Sequence, residues 1–428
     1  MERYAIIGFG CAGYHALRGL REQGFEGEIH VFSELGDPPA SPMLTTYYVS
    51  DIIPRSGLYP FGSLEEIAAK YRATIHRDCR VTGLDPVTKT VTLADGKTEQ
   101  FDKILLATGA TPIAPDLGVG DSKRVFYMRS VADADRLRDA LAEGWVNSAV
   151  VVGASMVGIK VAELLQKRNK HVLLMDLAPH IFSVAAFPDV AEEIERRVAA
   201  QGVSLLFGCG VKHAEETESS ILTSLDNGKV LESDILVMCV GTRARTELVQ
   251  GTAVEVQRGI IVNDDMSTNV PGIYAAGDCT QGRNLMDNSQ MIIGLWANAG
   301  YQGETAGRVM AGGHVEYTGN IPHNLTHFMG MDFVSFGDIR IPGETRCFGK
   351  PDGPTYIRVT VADDRVVAVN ILDIYQVSGI IRNYMLGVLA GSPEPMSPAL
   401  KGYLSQVDME QEFIDLFRPT GGEKHDGT

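Results

Sequence analysis

The sequence predicts an α/β fold: two Rossmann-like dinucleotide-binding units plus a separate C-terminal α+β domain. Three observations predict it. A strand, a glycine turn, a helix and a second strand follow one another within the first 34 residues. The same series begins again at Ser148. From about residue 321 the pattern changes to closely spaced strands and one helix.

The first unit opens with the apolar run 3–9, then Gly8-Phe9-Gly10-Cys11-Ala12-Gly13, then helical spacing through Leu17, Leu20 and Phe25, and a strand at Ile29, Val31 and Phe32. In such a G-x-G-x-x-G turn, Gly8 permits the tight bend, Gly10 lets backbone approach a pyrophosphate, and Gly13 lets the helix pack on the strand. Cys11 and Ala12, inside this turn, are expected beside the bound cofactor as well, Cys11 as a small packing residue. An acidic residue should close the second strand to hold a ribose. Ser33 occupies that place and Glu34 follows it, so Glu34 is the expected ligand, with an exposed loop glutamate as the alternative.

In the second unit, residues 149–152 form a strand, Gly153-Ala154-Ser155-Met156-Val157-Gly158 the turn, 159–169 a helix and His171–Met175 the next strand. Ser155 replaces the middle glycine with a small side chain that still allows close approach. Asp176 ends the strand, where a carboxylate accepts from ribose hydroxyls and repels a 2′-phosphate, and no arginine follows in 177–180. NADH is therefore expected over NADPH. Between the units, Asp95-Gly96 signals a hairpin, as does Asn227-Gly228 later in the chain.

In the C-terminal part, strands are expected at 333–340, 355–362 and 365–373, and a helix at 375–390. The tail is polar and glycine-rich from Pro419 and is expected to be disordered over 411–428.

Composition narrows the function classes. Among 428 residues, 54 acidic against 38 basic side chains give a net charge of −16, which disfavours nucleic acid or an anionic membrane as partner. No apolar run approaches the ~20 residues a transmembrane helix needs. With no leader pattern before the first strand, a cytoplasmic location is expected. The six cysteines form no C-x-x-C pair, so no metal site, iron–sulfur cluster or disulfide framework is expected.

Two further signals are Ala107-Thr108-Gly109-Ala110-Thr111-Pro112 and Gly272-Ile273-Tyr274-Ala275-Ala276-Gly277-Asp278. With the two glycine turns, and in this order, they resemble the layout of the pyridine nucleotide-disulfide oxidoreductase family, the two-dinucleotide-fold flavoproteins, over residues 1 to about 320. The resemblance implies an FAD-binding domain at 1–115 and 247–320, an NAD-binding domain at 116–246 inserted into it, an interface or dimerisation domain at 321–410, and the cofactors FAD and NADH. It implies that Asp278 meets the FAD ribityl chain and that Gly241-Thr242-Arg243 lies near the nicotinamide. It also implies that the helix start at Leu295-Trp296-Ala297 faces the flavin pyrimidine edge; core packing is the alternative for Trp296. Family members of the disulfide and peroxidase type carry cysteine near residue 40. Here Asp37 to Tyr48 contains none, and Pro42 lies in a proline-rich stretch similar to that of rubredoxin and ferredoxin reductases and of nitrite reductase flavoproteins. Ser41 and Thr45-Thr46 replace the arginine and lysine usual there, and Lys160 replaces a usual glutamate. Lys160 is expected to contact the nicotinamide, a flavin-side acid or the acceptor, or else to be a salt-bridged lysine without catalytic role.

The resemblance implies an NADH:acceptor oxidoreductase that passes electrons through FAD to a ferredoxin- or rubredoxin-type redox protein, without a redox-active disulfide, as a homodimer or part of a larger redox complex. Arg340, Arg346 and Lys350 are candidates for carrier docking or a solvated loop face. The alternatives are an NADH oxidase or reductase of a small molecule, and an NADH-binding redox sensor or scaffold.

Overall fold

A computed structural model describes residues 1–391, 397–406, 409 and 411–416. The first sheet contains β1 (Arg3–Ile7), β2 (Glu28–Phe32), β3 (Thr74–His76), β4 (Lys103–Leu106) and a late strand, Ile273–Ala275, all parallel in the order Ile273–Ala275, β4, β1, β2, β3. Helix α1 (Cys11–Glu22) crosses from β1 to β2 and buries Leu17 and Leu20. The central strands β1 and β4 are buried apolar runs from Tyr4 to Ile7 and Ile104 to Leu106, because both faces of a parallel sheet are covered there.

The second sheet repeats this plan. It contains β5 (Val125–Tyr127), β6 (Ser148–Val152), β7 (His171–Asp176), β8 (Ser204–Phe207) and β9 (Ile235–Met238) in the order β8-β7-β6-β9-β5, again parallel. Helix α4 (Met156–Lys167) crosses from β6 to β7, after α2 (Thr45–Val49) and α3 (Val131–Ala142); α5 (Pro188–Ala200) precedes β8. With the Ile273–Ala275 strand as β10, the chain continues into α6 (Trp296–Met310).

The chain leaves the first sheet at Ala110–Pro112 and returns at Thr242–Ala244, and these two segments pair antiparallel, Thr111 opposite Arg243. Both predicted glycine hairpins form, with Thr90–Leu93 on Thr98–Gln100 and Ile221–Leu225 on Val230–Ser233.

The third sheet is antiparallel, order β11-β12-β15-β14-β13, from β11 (His323–Phe328), β12 (Met331–Gly337), β13 (Glu344–Gly349), β14 (Tyr356–Ala362) and β15 (Arg365–Leu372). Helices α7 (Ser378–Leu389), α8 (Pro398–Gln406) and α9 (Gln411–Asp415) follow. β11 and β13 were not expected as strands; their alternation is broken by exposed polar positions.

The tail expectation is corrected at its start. α9 buries Phe413 and Ile414 in the C-terminal core, and two apolar residues inside five are enough to dock one helical turn. Residues 417–428 lie outside the described residues. The segment 42–58, inside the range expected for the first unit, packs on a different core. Tyr48, Val49 and Leu58 are buried in the core shared by the second unit and the third sheet, beside Leu137, Leu165 and Phe333. Tyr48 OH donates to Asp135, and Arg168 donates to the Val49 carbonyl and to Asp51. These partners are about 90 to 120 residues away in the chain, so local sequence carries no trace of them. No helix among the described residues is long and apolar enough to cross a membrane.

Candidate functional site

The turn after β1 is shaped by contacts that exclude side chains. A Cβ on Gly8, whose φ is +98°, would sit 2.2 Å from the Ala107 carbonyl oxygen, and one on Gly13 would sit 2.3 Å from that of Gly8. Gly10 differs: nothing lies within 4 Å of its Cβ position. The open side of Gly10 faces no protein atom, and the head of α1 has neither a capping side chain nor an acid in its first turn. α6 begins the same way, with Leu295 just before it making no capping bond and no acid in its first turn. Helix α3, by contrast, is closed by a Ser130–Asp133 capping box. An uncapped head leaves backbone N–H donors without intrahelical partners and a partial positive charge, which suits an anion.

The two open heads meet. Cys11 Sγ donates to the Trp296 carbonyl at 3.2 Å. The helices touch backbone to backbone: a Cβ on Gly303 would lie 2.2 Å from the Ala12 carbonyl, and one on Gly307 2.2 Å from that of Ala16. Gly277, with φ +88°, packs against Ala12, and its N–H donates to Gln302 Oε1 at 2.8 Å. Thus Gly8 to Gly13, Gly277 and Leu295-Trp296-Ala297 form one surface. The Trp296 ring is only partly buried and stacks on Phe61, 5.9 Å between centroids, which itself stacks on Tyr14.

Other predicted residues are engaged by protein. Asp278 accepts from Arg129 at 2.6 Å. Ser33 is buried and donates to the Leu35 carbonyl. Glu34 pairs with Arg245 at 2.9 Å and Arg80 at 3.6 Å. Thr108 Oγ1 donates to the Arg245 carbonyl, whose N–H in turn donates to that of Gly109, which ties the outgoing and returning strands together beside Gly241. Pro42 opens the 3-10 turn Pro42–Leu44 and its carbonyl accepts from Thr45 Oγ1. Arg129 and Arg245 were missed. Arg129 stands just before the Ser130 capping box, but its partner is 149 positions away.

The second turn is built alike. A Cβ on Gly153 would meet the Cys239 carbonyl at 2.3 Å, and one on Gly158 would collide with the Gly153 carbonyl. Ser155 does more than stay small: its hydroxyl caps α4, accepting from the Gly158 N–H, and donates to the Cys239 carbonyl at 3.2 Å. Met156 and Val157 begin the helix, and Val157 remains exposed. Asp176 is aimed by backbone: Oδ2 accepts from Ala154 N–H at 2.7 Å and Oδ1 from Ala178 N–H at 2.9 Å. A carboxylate has about four acceptor positions, so each oxygen keeps one open for a further donor. Asp176→Ala is expected to weaken NADH binding by about 1–2 kcal/mol, read as a dissociation constant by fluorescence titration; unchanged affinity would remove Asp176 from the site.

Lys160 is held away from free solvent. Its Nζ donates to Glu163 and, at 2.9 Å, to the His327 carbonyl of the C-terminal sheet, and lies 5.0 Å from the centroid of the Tyr47 ring. Glu163 is almost fully buried and also accepts from Lys167 and from Met329 N–H at 2.8 Å. Burial alone would raise the Glu163 carboxyl, but these donors outweigh it and hold the group below its ordinary value. The tie is therefore intact at neutral pH and is lost only as pH falls through that depressed value. Glu163→Ala strands two lysines and a buried N–H and is expected to destabilise the fold by about 3 kcal/mol in urea unfolding.

The same sheet grips the loop after β7. Asn370, wholly buried, accepts from Phe187 N–H and donates to the Ala185 carbonyl, both at 2.8 Å, and Ser335 donates to that carbonyl at 2.7 Å.

No thiol near the open heads is a thiolate. Burial pushes Cys11 up to about 12, with Asp278 adding to it, and pushes Cys239 up to about 12; Cys279 is fully buried and also raised. The exposed Cys347 lies on β13 in the third sheet.

Residues 2–303 match the pyridine nucleotide-disulphide oxidoreductase family. Over 342 residues the chain is 30% identical to the epsilon subunit of the NADH-dependent phenylglyoxylate dehydrogenase of Aromatoleum evansii, covering 79% of this chain and 80% of that protein. It is 29% identical over 283 residues to a rubredoxin-NAD(+) reductase of Ectopseudomonas oleovorans, 65% of this chain and 72% of that one. In fold it superposes on the reductase of the covalent putidaredoxin reductase–putidaredoxin complex with a TM-score of 0.84 at 22% identity, covering 96% of this chain and 99% of that one. The matched span takes in both glycine turns and the paired strands that join the two units, and the chain belongs to the pyridine nucleotide-disulphide oxidoreductase family.

Proposed function

We propose that the protein is an FAD-dependent NADH oxidoreductase that exchanges electrons with a ferredoxin- or rubredoxin-type iron protein. The carrying observation is the pair of open helix heads meeting beside Gly10, with no thiolate near them. FAD, when bound, supplies a carrier that takes a hydride from nicotinamide and gives up electrons singly or in pairs.

The chain's part is binding and alignment. Gly8, Gly10, Cys11, Ala12 and Gly13 hold the FAD pyrophosphate with backbone N–H groups. Glu34 meets the adenosine ribose, Gly277 and Asp278 the ribityl chain, and Leu295-Trp296-Ala297 the pyrimidine edge, where the head of α6 stabilises negative charge. Pro42, Thr108 and Gly109 line the approach. Gly153, Ser155, Met156, Val157, Asp176 and Gly241 hold NADH. Lys160 positions the nicotinamide side by joining α4 to the His327–Met329 turn. The domain division is 1–115 with 247–320 for FAD, 116–246 for NAD and 321–410 as interface domain. The segment 42–58 serves as a strut between the first two.

A cytoplasmic protein is supported by six unpaired cysteines. A place in a larger redox complex is supported by the relative that is a dehydrogenase subunit; a homodimer is the other assembly. Rapid-mixing reduction by NADH, followed by reoxidation with ferredoxin or rubredoxin, tests the reading. Fast reduction with slow reoxidation in air supports it. Reoxidation faster in air than with either protein identifies an oxidase, and no reduction a sensor. Lys160→Ala should slow the reduction step while FAD content stays whole; an unchanged rate makes Lys160 a purely structural tie.

A further inference from the structure

A cleft of about 460 Å³ lies between α6, the 315–320 segment and α7, lined in part by Tyr301, Thr305, Thr318, Arg382 and Asn383. Its charges are unequally matched. Glu304 is neutralised twice, by Arg18 at 2.5 Å and Arg308 at 2.7 Å. Arg382 has no carboxylate within ion-pair distance among the described residues. One of its terminal nitrogens, Nη2, donates at 3.3 Å to Asn320 Oδ1, and its Nε is buried with no acceptor, as is that of Arg308. The half-buried His323 nearby is held down to about 4 by desolvation and by Arg382, so it is neutral and offers no counter-charge to either sign. A guanidinium nitrogen removed from water without an acceptor is costly, and the planar fork of the group matches a carboxylate or a phosphate. Glu316, exposed on the same cleft, disfavours a polyanion. The half-exposed Tyr301 ring and Leu386 offer apolar surface for a small organic body, and the volume suits one.

The cleft is wired to the head of α6. Asn320, which accepts from Arg382, donates at 2.9 Å to Asn298 Oδ1; the same oxygen accepts from Tyr317 OH at 2.6 Å. Asn298 is two residues beyond Trp296, and all three members are buried.

We propose that this cleft binds a small anion bearing a single carboxylate or phosphate group, held by Arg382, and that its occupancy is relayed through Asn320 and Asn298 to the head of α6. The relay rests on the flavin reading above; the binding does not.

The test is calorimetric titration of the FAD-loaded protein with benzoate and with inorganic phosphate, one arm for each acid group. Saturable one-site binding of either is expected, about tenfold weaker in Arg382→Gln. Thr318→Trp fills the exposed mouth and should weaken binding likewise, which keeps the test valid if Arg382→Gln does not fold. Binding of neither probe, or binding that both variants leave unchanged, overturns the site. The visible flavin spectrum should shift with the same midpoint as binding; binding without that shift overturns the relay alone.

Discussion

Gly303→Ala is expected to give a folded protein that has lost most of its FAD. The added Cβ would lie 2.2 Å from the Ala12 carbonyl oxygen and 2.9 Å from its Cα. Both obstacles are backbone in the first turn of α1, so no rotamer relieves the contact and α6 must move away. The displacement falls on the point where the two open helix heads meet, 3.2 Å apart from Cys11 Sγ to the Trp296 carbonyl. Overpacking of this kind costs about 1–3 kcal/mol, and an affinity loss of about tenfold or more follows if most of it falls on the bound state. The flavin-to-protein absorbance ratio after gel filtration measures this. Gly402→Ala is the control, since nothing lies within 4 Å of a Cβ there, in the exposed part of α8. Full FAD content in Gly303→Ala would mean that the helix–helix contact does not shape the site.

The second large effect is an absence of internal electron storage. A dithiol or sulfenate cycle needs a thiolate beside the flavin. Residues 37–48 contain no cysteine, and the only sulfur there is Met43, a thioether exposed at the surface. The thiol nearest the open heads, Cys11, is kept protonated by burial and by Asp278. Alkylation under native conditions should therefore modify the exposed Cys347 and leave NADH-to-acceptor activity within about a factor of two. NADH reduction should produce no thiolate-to-flavin charge-transfer band. Loss of most activity on alkylation would place a cysteine in the electron path.

What was legible in the sequence was what backbone geometry imposes locally. Gly8 and Gly153 are needed because a side chain would strike a carbonyl at the end of the neighbouring strand, and Gly13 and Gly158 because it would strike the carbonyl that opens the same turn, so their spacing survives in the sequence. Asp176 was legible for the same reason: the strand end fixes its place, and two backbone N–H groups then fix its direction. What was not legible depends on distant partners. The Arg129–Asp278 pair, the burial of 42–58 against α3 and α4, and the grip of Asn370 on the 185–187 loop each join segments about 90 to 190 residues apart. Ser155 shows an intermediate case. Its size was readable from the motif, but its capping role depends on the hydroxyl reaching Gly158 N–H and the Cys239 carbonyl. Lys160 was visible as a departure from its family, while the reason, a buried glutamate one turn on and a carbonyl of the third sheet, was not.

The central claim is that electrons entering from NADH find the flavin and no second store. Anaerobic titration of the FAD-loaded protein with dithionite, followed by flavin absorbance, tests it most directly. The account predicts an end point at two electrons per FAD, with the same end point after thiol alkylation. Uptake of four electrons per FAD would show that a cysteine such as Cys11 or Cys279 exchanges electrons with the flavin, and would contradict the account.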